Sequence, residues 1–325
     1  MPRRISGFTP TGTLQLGNYL GAIRPTIAAQ YESDSLVFVS DLHALTVEHD
    51  PARLRAQTLE VATLLLAAGL DPARCPLFVQ SHLTEHTELH YLLECATSYG
   101  GAHRMIQFKE KAARHGQVRL SLLTYPVLMA ADVLLYDIDE VPVGEDQSQH
   151  VELARDVATR FNGRYGETFV IPKACHPPTA ARVMDLSDPT AKMSKTDPSG
   201  AGVLRLLDPP EVLRRKVMRA VTDPGREVRY DPHGQPGVAN LLDILAACVE
   251  DSPAVLARLF SSYGELKTAV ADTVVSLLLP VQERYRDLAA EPGAVPGILR
   301  EGRDRARPRA SATVARARHA MGLVR

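Results

Sequence analysis

A chain of 325 residues that is 45% hydrophobic, with 37 basic against 38 acidic side chains, has enough apolar material for one large domain plus a smaller one. That balance excludes a disordered chain and a protein that coats nucleic acid through its overall charge, though not one with a local basic face. No apolar run approaches the roughly 20 residues of a membrane helix, and Met1-Pro2-Arg3-Arg4 enters Ile5 without an apolar signal core, so a cytoplasmic protein with no membrane contact is expected. Arg4 to Phe8 reads as a strand, leading through a Gly/Pro/Thr turn to a helix from about Asn18. Ser35 to Ser40 reads as a second strand, Pro51 to Ala68 as a helix opened by Asp50-Pro51 and stopped by Gly69, and Leu77 to Ser81 as a third strand. Helices near Glu85 to Ser98 and Arg104 to His115 follow, then a helix with Pro126 in its first turn, a strand at Glu140 to Val143, and a helix from Gln149 to Phe161. Strands and helices alternating at these lengths predict an α/β fold, a parallel sheet covered by helices, with ligands at the carboxyl ends of the strands.

After Leu204 the pattern changes. Pro209 to Val221, Val238 to Glu250, Ala254 to Tyr263, Glu265 to Arg286 and Pro296 to Met321 all read as helices, which predicts a smaller all-helical C-terminal domain. The expected division is 1–204, 205–291 and a basic C-terminal helix at 292–325, with a hinge or turn at Ala289 to Pro296. Arg300, Arg303, Arg305, Arg307, Arg309, Arg316 and Arg318 outnumber Glu301 and Asp304 on that last helix, which suits either a phosphate-binding surface or a solvated face. Cys75, Cys95, Cys175 and Cys248 lie far apart with no CxxC pair or Cys/His cluster, so mostly buried, reduced thiols and no structural zinc or iron–sulfur site are expected.

Two constellations suggest phosphate chemistry. Phe8-Thr9-Pro10-Thr11-Gly12, then Gln15-Leu16-Gly17-Asn18, runs strand, glycine turn, helix start. Open N–H groups there suit a phosphate, Gly17 clears its approach, and Asn18 adds a neutral donor. Taken alone, a Gly-Asn pair opening a helix is more often an ordinary turn and cap. Lys192-Met193-Ser194-Lys195-Thr196, after Asp188-Pro189, is a cationic clamp suited to a triphosphate that sheds pyrophosphate; alone it is more often a solvated loop.

Together, in this order and this far apart, the two resemble the HIGH and KMSKS signatures of the class I aminoacyl-tRNA synthetases. A third stretch, Thr124 to Tyr136, puts Tyr125, Met129, Asp132 and Tyr136 on one helical face. A carboxylate among Met, Tyr and Leu is costly to bury without a partner. An indole N–H, a donor only, would satisfy it with Met129 as a polarisable wall, whereas in an ordinary core helix a salt bridge elsewhere would do so. With the other motifs, the stretch resembles the tryptophan-binding helix of the bacterial tryptophanyl-tRNA synthetases. Asp41-Leu42-His43-Ala44, Gln107 to Lys111, Val141 to Gln147, Ala220 to Asp223 and Pro236 to Leu242 extend the resemblance over essentially the whole chain.

The resemblance implies a Rossmann-like catalytic domain and an anticodon-binding helical domain. It implies tryptophan, Mg²⁺-bound ATP and tRNA(Trp) as ligands, and a homodimer. Thr9, Pro10, Thr11, Gly17 and Asn18 would line the ATP site, with Gly144, Glu145 and Asp146 near the ribose and Val183 on adenine beside Lys192 to Thr196. Lys111 would reach the phosphates with Lys192 and Lys195. Asp132 would accept the indole N–H; Ile5, His43, Met129, Val141 and Val143 would enclose the ring, with Tyr125 near the amino group and Gln147 at the backbone end. Thr9 stands where glutamine is common in the family, Ile5 where phenylalanine is, Gln15-Leu16 for Thr-Ile and Thr196 for a serine; of these, Thr9 is the one expected to alter affinity. A tyrosine-specific sibling, a nucleotidylyltransferase and a non-charging paralogue are the competing readings. The Met129/Asp132 face fits an indole better than a phenol, the helical half is foreign to a nucleotidylyltransferase, and the intact Lys192/Ser194/Lys195 set argues for catalysis.

Overall fold

Five parallel strands, β1 (Arg3–Phe8), β2 (Asp34–Val39), β3 (Leu77–Val79), β4 (Glu140–Pro142) and β5 (Lys173–Cys175), form a sheet of order β3-β2-β1-β4-β5. The computed structural model describes residues 1–104, 119–144, 148–175, 183–194, 200–225 and 227–324. Helices cover both faces of the sheet, so β2 buries every residue from Ser35 to Val39 and reads as a continuous apolar run rather than an alternating one. Register aligns Ile5 with Leu36 and Gly7 with Phe38, and Arg4 ties β1 to β4 through Glu140 at 2.7 Å. The chain climbs from β1 through β2 to β3, then crosses back over β1 to lay down β4 and β5. The reversal between β1 and β4 is the switch point at whose carboxyl ends ligands bind in such sheets, and the turn after Phe8 and the segment Val143-Gly144 emerge there side by side.

Local signals explain several elements. The Asp50 carboxylate accepts the Arg53 N–H at 2.7 Å, Pro51 occupies the first turn, and the helix Pro51–Ala67 stops before Gly69, whose φ of 113° suits glycine. Other elements depart from the sequence reading. The Leu120–Leu134 helix begins six residues before Pro126, which therefore lies inside it and gives up one ladder bond; burial of Tyr125 through Leu128 offsets that local cost. β3 is shorter than Leu77 to Ser81 because the fully buried Gln80 opens a 3-10 turn, Gln80–His82. β5 was not foreseen: Lys-Ala-Cys carries no apolar pattern and is a strand through its pairing with β4. The helix expected over Ala254 to Tyr263 is only Pro253–Leu256 plus a 3-10 turn, Ala257–Leu259; Phe260 is extended, and the Ser262 hydroxyl caps the next helix, Tyr263–Ala290, at Glu265 N. The helix expected from Arg104 to His115 lies, beyond Arg104, outside the described residues. Among the described residues no helix is long and apolar enough to cross a membrane. Of the four cysteines, Cys75 and Cys248 are buried, Cys175 is half-buried and Cys95 is exposed, fewer inside than expected.

The C-terminal helix, Ala294–Ala320, lies along β3 and the Glu85–Ala96 helix. Ala306, Ala310 and Ala317 join the apolar cluster around Phe78 and Leu83. Five of its arginines meet the sheet domain: Arg305 donates to the Pro72 and Ala73 carbonyls, Arg307 to the His82 carbonyl, Arg309 pairs with Asp34, Arg316 with Asp137 and Arg318 with Glu88. These contacts favour a structural role for the basic face. A Cβ at Gly302 would sit 2.0 Å from the Leu77 carbonyl oxygen, so Gly302→Ala must lift the helix off β3. That substitution is expected to cost about 1–3 kcal/mol and lower the melting temperature by roughly 2–8 °C in a thermal scan. Gly297→Ala on the same helix, whose nearest neighbour would be 3.9 Å away, should leave it unchanged or slightly raised.

Candidate active site at the carboxyl ends of the strands

The two phosphate-type motifs meet, although 178 residues separate their contact atoms: Gln15 Nε2 donates to the Met193 carbonyl at 3.1 Å. Gln15 is buried and caps the short helix Leu16–Asn18; its Oε1 accepts the Gly17 N–H, while its own N–H donates to Asn18 Oδ1 at 3.2 Å. The Gly17 amide is thus taken by Gln15 rather than left open, and Asn18 Oδ1 is likewise engaged. A Cβ on Gly17 would lie 3.0 Å from Gln15 Oε1 and 3.3 Å from Val183 Cβ, so a side chain there would crowd both the cap and the segment that pairs with Met193. Met193 is buried, its N–H donates to the Val183 carbonyl at 3.1 Å, and Met184 bridges Lys192, leaving Lys192 and Ser194 exposed on an anchored base. Beyond the loop the chain returns against the first motif, with Leu16 N donating to the Leu204 carbonyl at 2.8 Å. On the crevice floor Gly7 is exposed although it lies on the central strand, and a Cβ there would meet the Phe38 ring at 2.7 Å. Thr9 Oγ1 shares a hydrogen bond of 2.9 Å with Ser40 Oγ, joining the ends of β1 and β2.

At the carboxyl end of β2 and β3, Asp132 is 2% exposed, and its carboxylate meets three donors. Oδ1 accepts from Gln80 Nε2 at 2.7 Å and from His86 Nδ1 at 2.7 Å, and Oδ2 accepts from His43 Nε2 at 2.8 Å. Burial pushes this carboxyl up, but the hydrogen bonds from His43 and His86 outweigh it and hold it down at about 2, so Asp132 is ionised at neutral pH. With four lone-pair positions and three donors among the described residues, one acceptor position on Oδ2 remains, on the side of the partly exposed His43. The Tyr125 ring meets His43 edge-on, centroids 6.3 Å apart, and its hydroxyl pairs with His150 Nε2 at 3.2 Å; burial pushes that phenol up to about 12, so it stays neutral. Met129 is half-buried on a helix face otherwise closed, while Ile5, Val141 and Val143 share the buried apolar cluster of β1, β2 and β4.

The family model described as tRNA synthetases class I (W and Y) matches residues 2–279. The chain belongs to this family. It is 60% identical to "Tryptophan--tRNA ligase 1" of Streptomyces coelicolor, covering all of this chain and 98% of the relative. Its fold superposes on the tryptophanyl-tRNA synthetase of Mycoplasma pneumoniae with a TM-score of 0.90 and 36% identity, covering 100% and 98% of the two chains. A Campylobacter jejuni tryptophanyl-tRNA synthetase, solved in complex with ADP and tryptophan, follows at 0.85 and 31%, covering 99% and 100%.

Of the residues expected in the site, Thr9 meets Ser40, the Gln15-to-Asn18 turn meets Val183 and Met193 beside Lys192, and Asp132 meets His43, which in turn faces Tyr125. Gly144 is half-buried at the end of β4. Lys111, Glu145, Asp146, Gln147, Lys195 and Thr196 lie outside the described residues. Gly7, Gln15, Gln80, His86 and His150 were not foreseen as site residues. The available signals were a glutamine at the end of an apolar strand and a histidine on an amphipathic helix, neither of which names its partner. The helical half contributes too. Asn240, 3% exposed on the Pro236–Val249 helix, clamps Met184, donating to its carbonyl at 3.1 Å and accepting its N–H at 2.9 Å; Asp223 accepts the Val238 N–H at 3.0 Å at the start of that helix. Asn240→Ala should leave both Met184 backbone groups unpaired under the lysine segment. The expected result is a loss of about 2 kcal/mol of stability and a lower kcat for pyrophosphate exchange, checked by denaturant titration beside kinetics.

Proposed function

We propose that the chain acts as a tryptophan–tRNA ligase, joining tryptophan to the α-phosphate of ATP with release of pyrophosphate, then passing it from the adenylate to the terminal ribose of tRNA(Trp). The observation that carries the reading is a buried, ionised Asp132 with one acceptor position left among the described residues, held by His43 on the helix that follows Ser40, while Ser40 itself meets Thr9 at the start of the turn that leads to Gln15 and its bond to the Lys192 segment. Similarity to tryptophan ligases over the full chain supports it.

The attacking tryptophan carboxylate is ionised at neutral pH and needs no general base, so the protein's work is positioning and charge neutralisation. Asp132 receives the indole N–H, Met129 and His43 flank the ring beside Ile5, Val141 and Val143, and Gln147 and Tyr125 meet the amino-acid end. Thr9, Pro10, Thr11, Gly17 and Asn18 border the nucleotide, Val183 its adenine, and Gly144, Glu145 and Asp146 its ribose. Lys192, with Ser194, Thr196, Lys195 and Lys111, offsets the charge that grows on pyrophosphate. Magnesium would enter with the nucleotide phosphates; among the described residues no group of three or more His, Cys, Asp or Glu is placed to hold a metal ion. The helical region 205–291 would take the anticodon arm, and the working form would be a cytoplasmic homodimer.

Pyrophosphate exchange with each proteinogenic amino acid, followed by tRNA charging, tests the reading. Exchange with tryptophan alone and charging of tRNA(Trp) are expected. Exchange with tyrosine instead would move the assignment to the sibling specificity, and exchange with neither would leave a non-charging binder.

A further inference from the structure

We propose that His86, remote from the crevice surface, is a positioning residue for substrate selection: it pins Asp132 Oδ1 from inside the protein so that Oδ2 alone is presented to a ring N–H. The inference rests on the reading of Asp132 as the indole acceptor.

His86 is wholly buried and boxed by aromatic rings, with Phe38, Phe78 and Tyr136 centroids at 5.8, 6.1 and 5.6 Å, so its ring cannot swing away. Nδ1 lies 2.7 Å from Asp132 Oδ1, and an ionised carboxylate only accepts, so Nδ1 carries the proton. Nε2 lies 2.9 Å from the Tyr136 hydroxyl, a phenol whose burial keeps it protonated, so both ring nitrogens have a partner. Gln80 is fixed in the same way, because Leu42 N–H takes its Oε1 at 3.1 Å and turns Nε2 toward Asp132. Two donors fill both lone pairs of Oδ1. The carboxylate therefore cannot rotate to serve its protein partners with the other oxygen. Removing the Nδ1 donor frees that rotation and weakens the preference for a ring that brings its own N–H.

The test compares tryptophan with its isostere carrying sulfur in place of the ring N–H, as the ratio of kcat/KM in pyrophosphate exchange. Both substrates are read in one preparation, so the ratio is independent of how much enzyme is folded. His86→Leu should lower the wild-type ratio at least tenfold, mainly through KM for tryptophan. His86→Asn, whose amide can replace the Nδ1 donor, should regain most of it, and Tyr136→Phe should lower it by about threefold. A wild-type ratio that is large and unchanged in His86→Leu overturns the role of His86 while leaving Asp132 as the acceptor. A wild-type ratio near one overturns both. If His86→Leu does not fold, the asparagine and phenylalanine variants decide: a fall in Tyr136→Phe with the ratio held in His86→Asn supports the inference, and any other pattern overturns it.

Discussion

Asp132→Ala is expected to lower kcat/KM for tryptophan in pyrophosphate exchange by about 10³-fold or more, with the KM for ATP changed less than about threefold. The size follows from the burial of the group. A site built around a desolvated acceptor rejects a ligand that cannot fill it by about 10⁴, and deleting the acceptor removes the same discrimination from the protein's side. Because the chain contains no tryptophan, the fluorescence of bound substrate can be followed with little protein background, and loss of binding can be separated from loss of chemistry. Asp132→Ala also strands the donors of Gln80, His86 and His43, so a stability loss of about 3 kcal/mol should accompany it. Equal activation of tryptophan by the wild type and the alanine variant would remove Asp132 from the substrate site, whatever its role in the fold.

The same group sets an acid limit. Its folded pKa lies below that of an ordinary carboxyl, so its contribution to stability is complete above the unfolded value of about 4 and is lost as pH falls toward about 2. The contribution is on the order of 2 kcal/mol. An acid titration of stability should lose this part in the wild type and not in Asp132→Ala.

Asp132 was legible because a carboxylate within an apolar helix is an anomaly a sequence displays. Its partners were not. Gln80 and His86 lie 52 and 46 residues away, and only the packing of the chain after β3 against the Leu120–Leu134 helix brings them to it. The strand-turn-helix around Gly17 and the cap at Asp50 were legible for the opposite reason, since their chemistry is local. Gln15 shows the boundary: its capping role is local, but its bond to Met193 belongs to the tertiary fold. β5 and the register of Pro126 were missed where pairing and burial overrode weak or adverse local signals. The basic C-terminal helix had a readable charge pattern and no readable destination, and the acids and carbonyls its arginines meet come from five separate segments of the sheet domain.

Lys192→Ala is expected to lower kcat for pyrophosphate exchange by about 10²–10³, with the KM for tryptophan nearly unchanged. The separation of kcat from KM is what a charge used only as pyrophosphate departs should give. The surroundings make the substitution clean: Lys192 is exposed, while the backbone on either side is held at Met193 by Val183 and Gln15 and at Ala191 by the Asp185 N–H. Deleting the amine therefore removes a cation without loosening its base, and the melting temperature should stay within about 2 °C. Lys192→Arg is expected to recover only part of the rate, because a planar guanidinium cannot place its charge where a compact ammonium does. An alanine variant with unchanged kcat would mean that the charge on pyrophosphate is met elsewhere, and the anchored geometry around Met193 would then need another purpose.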